Sequence, residues 1–431
     1  MKQKIKTVLF IVAYLFLAYH FVAKVLVPTF SPEQQHLVND FGSYYVASRL
    51  IADGHTPYRS TDNHHTIKFT VDELTAWQMN KGTIPAYIYP SFLAITLTPL
   101  SKLPFPEARL VWSAICTMCF FGCIFLTFYL LKRSPKFDMT TLLILFIFFA
   151  SMPTLESFTL GQVNYPILLL MLLSFVFHSQ KRSLLGGGTL AIASLVKVSP
   201  VLLLLYFLWR RDFRLITGFL LAFSVVISLM LILAPSVDIA FVQEVFPAIS
   251  SRVPELNNKA LAVWWQFLFT NNDLAEPIVH MPILASILSA LSSIVIISSI
   301  AIVFKRQKEF NALDHPTYAL SQFLVCCVGL LLVQPYLEIH HLVFAFPALA
   351  CIITVFTTNK LRWQNITLLV LVFLLLNSRG ENSFRWLGPH WYSAFLSNPQ
   401  TYGLLIVLVL LCLIILDRIS IKSNYGSHNF T

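Results

Sequence analysis

Charge is scarce in this sequence. Only 12% of its 431 residues are Asp, Glu, Lys or Arg, and 57% are hydrophobic. A soluble globular domain carries about 25% charged residues, so the composition excludes an ordinary soluble protein and calls for lipid as the solvent. Motifs of the common soluble enzyme classes are missing too. There is no glycine-rich phosphate loop, no nucleophile elbow and no zinc-binding spacing of His and Cys. The seven cysteines, Cys116, Cys119, Cys123, Cys326, Cys327, Cys351 and Cys412, all fall inside apolar runs. They make neither a disulfide framework nor a metal site, and read as packing residues. The net charge of +10 does not mark a nucleic-acid protein, because the basic residues sit in short clusters between apolar runs rather than on one face.

What the chain does have is a long series of apolar runs, and a bilayer crossing needs roughly 20 residues. Met1 to Pro28 has Lys2, Lys4 and Lys6 ahead of an apolar core. That core is too long for a signal peptide and has no small-residue cleavage site, so it reads as a retained first span. Further spans fall near residues 106–131, 139–156, 162–178, 213–234, 278–304, 316–336, 342–358, 364–378 and 401–417. The Lys/Arg clusters at 2–6, 132–136, 181–182, 210–214, 305–308, 360–362 and 418–422 mark cytoplasmic ends. The expected fold is therefore an all-α polytopic membrane protein, one membrane domain over 1–431 with about 10–12 transmembrane helices and both termini cytoplasmic. With no organelle-type signal, a bacterial inner membrane is the expected location.

Two segments do not read as ordinary spans. Ala86 to Lys102 is apolar but carries Tyr87, Tyr89, Pro90 and Pro99, and reads as an interfacial helix on the outer face. Ser183 to Trp209 is flanked by basic clusters on both sides and is too short for two full spans. A pair of half-helices over 183–209, broken near Ser199-Pro200, restores the parity, provided the break faces protein or a water-filled cavity. The polar segments then fall outside: the first outer loop, with interfacial helices over 28–105, and the loops at 235–277 and 379–400. Chemistry is expected on that side.

In the first outer loop, Asn39 to Asp53 reads as an amphipathic helix. Phe41, Tyr44, Tyr45, Ala47, Ile51 and Ala52 lie on one arc, with Arg49 and Asp53 opposite. Asp40 at its start would sit near the lipid interface, where a lipid-linked substrate presents its head group, or Asp40 or Asn39 would simply cap the helix; the spacing favours neither reading. Lys197 lies about a dozen residues from either end of its apolar run, roughly 18 Å of helical rise, beyond the reach of a snorkelling stem. An intramembrane lysine costs about 2.5–3.5 kcal/mol, so it must face a phosphate, a carboxylate that shapes the site, or a structural ion-pair partner. Glu338-Ile339-His340-His341 ends a span. One His aimed inward would contact a phosphate or an acceptor hydroxyl, while the other would mark a polar membrane boundary. Gln162 and Asn164 would bind sugar hydroxyls, although for this element taken alone capping and helix packing are the better explanation. Arg379 and Arg385 would clamp a phosphate or anchor headgroups. Asp62 with His64 and His65 reads as an exposed turn.

These residues together resemble family 87 of the glycosyltransferases. The outer-loop Asp40 heading an aromatic helix, with Gly54-His55-Thr56-Pro57-Tyr58 after it, is the first element. Tyr87-Ile88-Tyr89-Pro90, Leu103-Pro104 with Ala108 and Trp112, Gly161-Gln162-Val163-Asn164, Lys197-Val198-Ser199-Pro200 with Trp209-Arg210-Arg211, and the acidic-His-His turn follow in order, over roughly residues 35 to 350. Ser91 stands where the family has a second proline, and the family's Asn-Gln-Ser motif is only echoed by Asn257-Asn258-Lys259. The resemblance implies a GT-C bundle with its site on the outer face, a polyprenyl-phosphate sugar donor, mannose by default, inversion at the anomeric carbon and Asp40 as base. It also brings Tyr44, Tyr58, Tyr89, Glu338 and Asn258 to the substrate side. No cofactor and no metal are expected. The expected partners are membrane lipids, the lipid-linked donor and a lipid-linked or glycan acceptor, with no nucleic acid. The competing readings are a transporter or flippase of lipid-linked sugars, for which the inverted repeats are missing, and a glycan polymerase or ligase.

Overall fold

The computed structural model describes residues 2–35, 37–58, 66–67, 84–251, 254–255, 257–272, 275–309, 316–358, 362–379, 388 and 390–419. Among these residues the regular elements are helices apart from one short antiparallel pair in the first loop, β1 (Thr66–Ile67) and β2 (Ile84–Pro85), which pairs Thr66 with Pro85, and an isolated bridge between Glu276 and His390. The principal helices are α1 (Lys2–Phe21), α2 (Asp40–Ala52), α3 (Ser91–Ser101), α4 (Phe105–Leu130), α5 (Met139–Ala150), α6 (Met152–Leu160), α7 (Asn164–Ser179), α8 (Ser183–Val196), α9 (Leu204–Trp209), α10 (Phe213–Leu233), α11 (Pro282–Glu309), α12 (Pro316–Val333), α13 (Phe346–Thr358), α14 (Trp363–Asn377) and α15 (Pro399–Ile415).

Six helical stretches are long and apolar enough to cross a membrane: Thr7–Thr29, Phe105–Leu130, Met139–Leu160, Phe213–Leu233, Pro282–Gln307 and Ile339–Thr358. Shorter apolar helices accompany them, among them α7, α8, α14 and α15. Large apolar side chains point away from the protein on several spans, including Val225 at 68%, Ile232 at 77% and Ile283 at 77% exposed. Only a lipid environment makes that arrangement favourable. The chain is an all-α, multi-pass membrane protein.

Local chemistry shapes the helices that hold the site. α5 and α6 form one apolar stretch interrupted at Ser151, whose backbone is extended and whose hydroxyl caps the Thr154 amide. The residues that follow are Met152 and Pro153, and a proline in the first turn suits a helix start. α6 stops at Gly161 in the left-handed region, φ +67°. A Cβ there would meet Phe41 Cβ at 2.8 Å, so only glycine lets Gln162 turn back toward α2. α8 stops at Val196, Lys197 is extended, and a 3-10 turn over Ser199–Leu203 leads into α9. α8 and α10 cross backbone to backbone: a Cβ on Gly187 would lie 2.1 Å from the Leu215 carbonyl oxygen, and one on Gly218 would lie 2.4 Å from that of Leu184.

α2 differs from the amphipathic reading. Phe41 through Ser48 are all buried, whereas Ile51 is half-buried and Ala52 exposed. The helix is enclosed by protein rather than presenting one apolar arc, because α3 and the first turns of α4 pack around it and its aromatic side chains carry hydrogen bonds. Tyr45 donates to the Leu103 carbonyl at 2.8 Å, and Phe41 stacks on Trp112 with 5.8 Å between ring centroids.

Candidate active site

Asp40 opens α2, but neither it nor Asn39 caps the helix. No side chain caps that terminus. Asn39 instead donates to the Thr159 carbonyl and accepts from Arg109, while Asp40 Oδ2 accepts from the Gln162 amide. The Gln162 carbonyl oxygen lies 3.0 Å from the Tyr44 hydroxyl and 3.2 Å from that of Tyr89. Two phenols on the oxygen fix which end of the amide faces the carboxylate. Oδ1 of Asp40 has no partner among the described residues and is not sealed off. Burial pushes the Asp40 carboxyl up to about 6, with the Gln162 hydrogen bond and the Lys197 and Arg109 charges pulling the other way.

Arg109, in the first turns of α4, is 0% exposed. It donates to Asn39, to the Thr159 carbonyl at 2.8 Å and to the Leu37 carbonyl at 3.4 Å. Next to it Trp112 donates to the Gly161 carbonyl at 2.7 Å. One turn of α4 thus ties the approach to Asp40 to the approach to Gln162. Arg109 belongs to none of the sequence motifs above. The signal was present: a charged residue inside an apolar span, as at Lys197.

Across from Asp40 lies the turn after α12. Glu338 precedes a 3-10 helix over Ile339–Ala345, and it exchanges hydrogen bonds with His341, whose Nδ1 accepts from the Glu338 amide at 3.1 Å. His341 Nε2 meets the Lys197 ammonium, which also lies 5.8 Å over the Tyr89 ring. His340 Nε2 is 3.1 Å from Glu338 Oε2 but off the line of a hydrogen bond, so that buried nitrogen is unpartnered. The two imidazoles pack edge to face at 4.4 Å. The 3-10 turn brings both rings to Glu338, rather than sending one inward and the other to a polar boundary. Glu338 keeps 26% of its side chain exposed and accepts from Tyr336 at 3.1 Å. Burial and the Asp40 charge push its carboxyl up to about 8, against the pull of Tyr336 and Lys197.

Other motif residues stand behind this cluster. Asn164 donates to the His340 carbonyl at 3.1 Å. Asn258 accepts from the Leu337 amide and donates to the Pro335 carbonyl, each at 3.1 Å. Both amides brace the 334–341 turn. Tyr58 donates to the Tyr89 carbonyl at 2.7 Å and supports that ring from behind. Arg379 is exposed just past α14, and the structure gives it no contact with the cluster. Arg385, Asp62, His64 and His65 lie outside the described residues.

Glu338, His340 and His341 place their ligand atoms within 4.8 Å of one another. Both ring nitrogens of His341 are already engaged, however, leaving one imidazole nitrogen and one carboxylate where a zinc site takes three or four protein ligands. The donor set does not fit a resident metal as it stands.

A multi-pass helical membrane protein with two half-buried carboxyls, a lysine and two imidazoles converging from a broken helix, a helix of the first loop and a post-span turn has the parts of an enzyme for polar, anionic substrates. The sequence profile of glycosyltransferase family 87 matches residues 87–335. That stretch is more than half of the chain, and the chain belongs to this family. It is a glycosyltransferase of the membrane. The matched stretch holds Tyr89, Arg109, Gln162, Asn164 and Lys197; Asp40 and the Glu338–His341 turn flank it. No curated protein matches the chain.

Proposed function

We propose that this protein transfers a sugar, mannose as the family default, from a polyprenyl-phosphate donor to a lipid-linked or glycan acceptor, with inversion, on the outer face of a bacterial inner membrane. The observation that carries this reading is the pairing of Asp40 with a facing cluster of cationic and hydrogen-bonding groups. A polyprenyl phosphate is already a good leaving group and needs little acid assistance. The reaction needs a base for the acceptor hydroxyl and donors for the departing phosphate.

Asp40 takes the first role. Its unpartnered Oδ1 accepts the acceptor's proton as the hydroxyl oxygen bonds to the anomeric carbon. The bond from that carbon to the phosphate oxygen breaks on the opposite side, and its electron pair leaves on the phosphate. Lys197 and the His340 ring receive that charge, and His341 holds the lysine in place. Glu338, still protonated near neutral pH, meets the phosphate as a hydrogen-bond donor rather than as a like charge. Two carboxyls held at different protonation states by their surroundings are a recurring way to divide such roles.

The test is reconstitution of the purified protein with radiolabelled polyprenyl-phosphate-mannose and a native lipid extract. A new labelled product supports the reading, and its anomeric configuration reports inversion. No turnover of any of several polyprenyl-phosphate sugars by folded protein would favour the transporter reading. A product ladder would favour the polymerase.

A further inference from the structure

Tyr336 stands between two carboxyl groups. Its hydroxyl oxygen lies 3.1 Å from Glu338 Oε1 and 3.2 Å from Glu255 Oε2. Glu255 comes from the 235–277 loop, outside every sequence motif above. A braced backbone carries it there. The Asn258 amide donates to the Glu255 carbonyl at 3.1 Å and closes a turn. From that turn the Asn258 side chain bonds the Pro335 carbonyl and the Leu337 amide, and the Lys259 amide donates to the Leu337 carbonyl at 2.6 Å. These bonds hold the residues on both sides of Tyr336 against the loop.

A phenol has one proton to donate. Burial and both carboxyls keep that proton on Tyr336, raising the phenol well above its ordinary range. It therefore serves Glu338 or Glu255, not both. Glu338 Oε1 faces Tyr336, while Oε2 lies on the His340 side, 3.1 Å from its Nε2. With Glu338 protonated on Oε2, the Glu255 carboxylate is the stronger acceptor and takes the phenol's hydrogen bond. An ionised Glu338 competes for that bond and leaves Glu255 facing the phenol's lone pairs. We propose that Glu255, acting through Tyr336, is a positioning residue that keeps the Glu338 proton in place for the departing phosphate. The use of that proton on the phosphate rests on the function proposed above; the competition for the phenol does not. Other titratable groups also face Glu338: Asp40 from α2, Glu156 from α6, Lys197 from the break after α8, and Tyr89, His340 and His341. All of them remain in the variants below, so a difference between variants reports on Tyr336 and Glu255.

The test is an infrared pH titration of the purified full-length protein. It follows the carboxylic acid C=O stretch of Glu338, identified by its loss in Glu338→Gln. Glu255→Gln leaves an amide that donates to the phenol oxygen and frees the phenol proton for Glu338. That favours the ionised form, so the Glu338 midpoint should fall by about one pH unit, the scale of one hydrogen bond to a charged group. In the Tyr336→Phe background the same substitution should move the midpoint by roughly half as much or less, the mark of a coupled pair. A midpoint that Glu255→Gln leaves unchanged overturns the proposal. So does a fall of equal size with and without the phenol, because Glu255 then acts by its charge alone. The titration contains no substrate. A midpoint that falls as expected in a protein that transfers no sugar sinks the donor assignment and leaves the carboxyl pair standing. In protein that does transfer sugar, the alkaline limb of kcat/KM should move down with the midpoint. A limb that stays in place while the midpoint falls removes Glu255 from the reaction.

Discussion

Asp40 has partners drawn from four separate parts of the chain. Gln162, Lys197 and Arg109 bear on it directly, and the Asp40 charge in turn bears on Glu338. A base at about 6 is mostly ionised at neutral pH and is lost as pH falls through that value. A Glu338 at about 8 is mostly protonated at neutral pH and loses its proton as pH rises through that value. The predicted profile of kcat/KM against pH is therefore a bell with limbs near 6 and near 8. Glu338→Gln, which keeps a neutral hydrogen-bonding group, should abolish the alkaline limb while the acid limb stays. A profile unchanged in that variant would remove Glu338 from the phosphate side. Arg109→Met breaks a charged bracket whose hydrogen bonds contribute about 1.5–3 kcal/mol each. Turnover should fall at least tenfold and the acid limb should move to higher pH, with Arg109→Lys recovering part of both. Lys197 was legible in the sequence because a mid-span lysine is costly wherever it points. Asn164 and Asn258 were legible only as motif members. Their work, bracing the carbonyls and amides of the 334–341 turn, depends on tertiary neighbours that no local pattern reveals.

Elements were easier to read than their surroundings. Apolar runs with basic ends gave the helices, since both signals are local. The enclosure of α2 was not legible: an aromatic helix for a membrane surface and one for a protein interior share a composition, and only the hydrogen bonds of Tyr44 and Tyr45 separate them. The crossing of α8 and α10 is another tertiary fact written in single glycines. Without an aqueous hydrophobic drive between helices in lipid, close backbone approach carries the packing. Gly187→Leu would force side-chain atoms into the Leu215 carbonyl and the Phe219 amide. The expected outcome is loss of monodisperse protein on size exclusion, whereas Gly188→Leu, where a Cβ meets only Ala222 at 4.0 Å, should be tolerated. Equal behaviour of the two variants would contradict the packing account. The break between α8 and α9 follows from the same logic, because an interrupted helix in a bilayer needs protein or a polar ligand around its open backbone. Here Lys197 sits in that break, facing His341.

At the scale of the whole molecule, a scaffold of membrane helices brings a carboxylate from a helix of the first loop against a lysine from an interrupted helix and an imidazole pair from the turn after α12. The sequence carried each of these parts, but their convergence depends on turns such as Gly161 and the 3-10 helix after Glu338. In the proposed reaction Asp40 takes the acceptor's proton in sugar transfer from a lipid phosphate. The most direct measurement compares wild type with Asp40→Asn in the reconstituted transfer assay, with matched expression, size-exclusion profile and photolabelling by a photoreactive polyprenyl phosphate. Product is expected from wild type and a loss of at least about a hundredfold in Asp40→Asn, consistent with the typical contribution of a general base, with donor binding kept. Transfer by Asp40→Asn at close to the wild-type rate would contradict it.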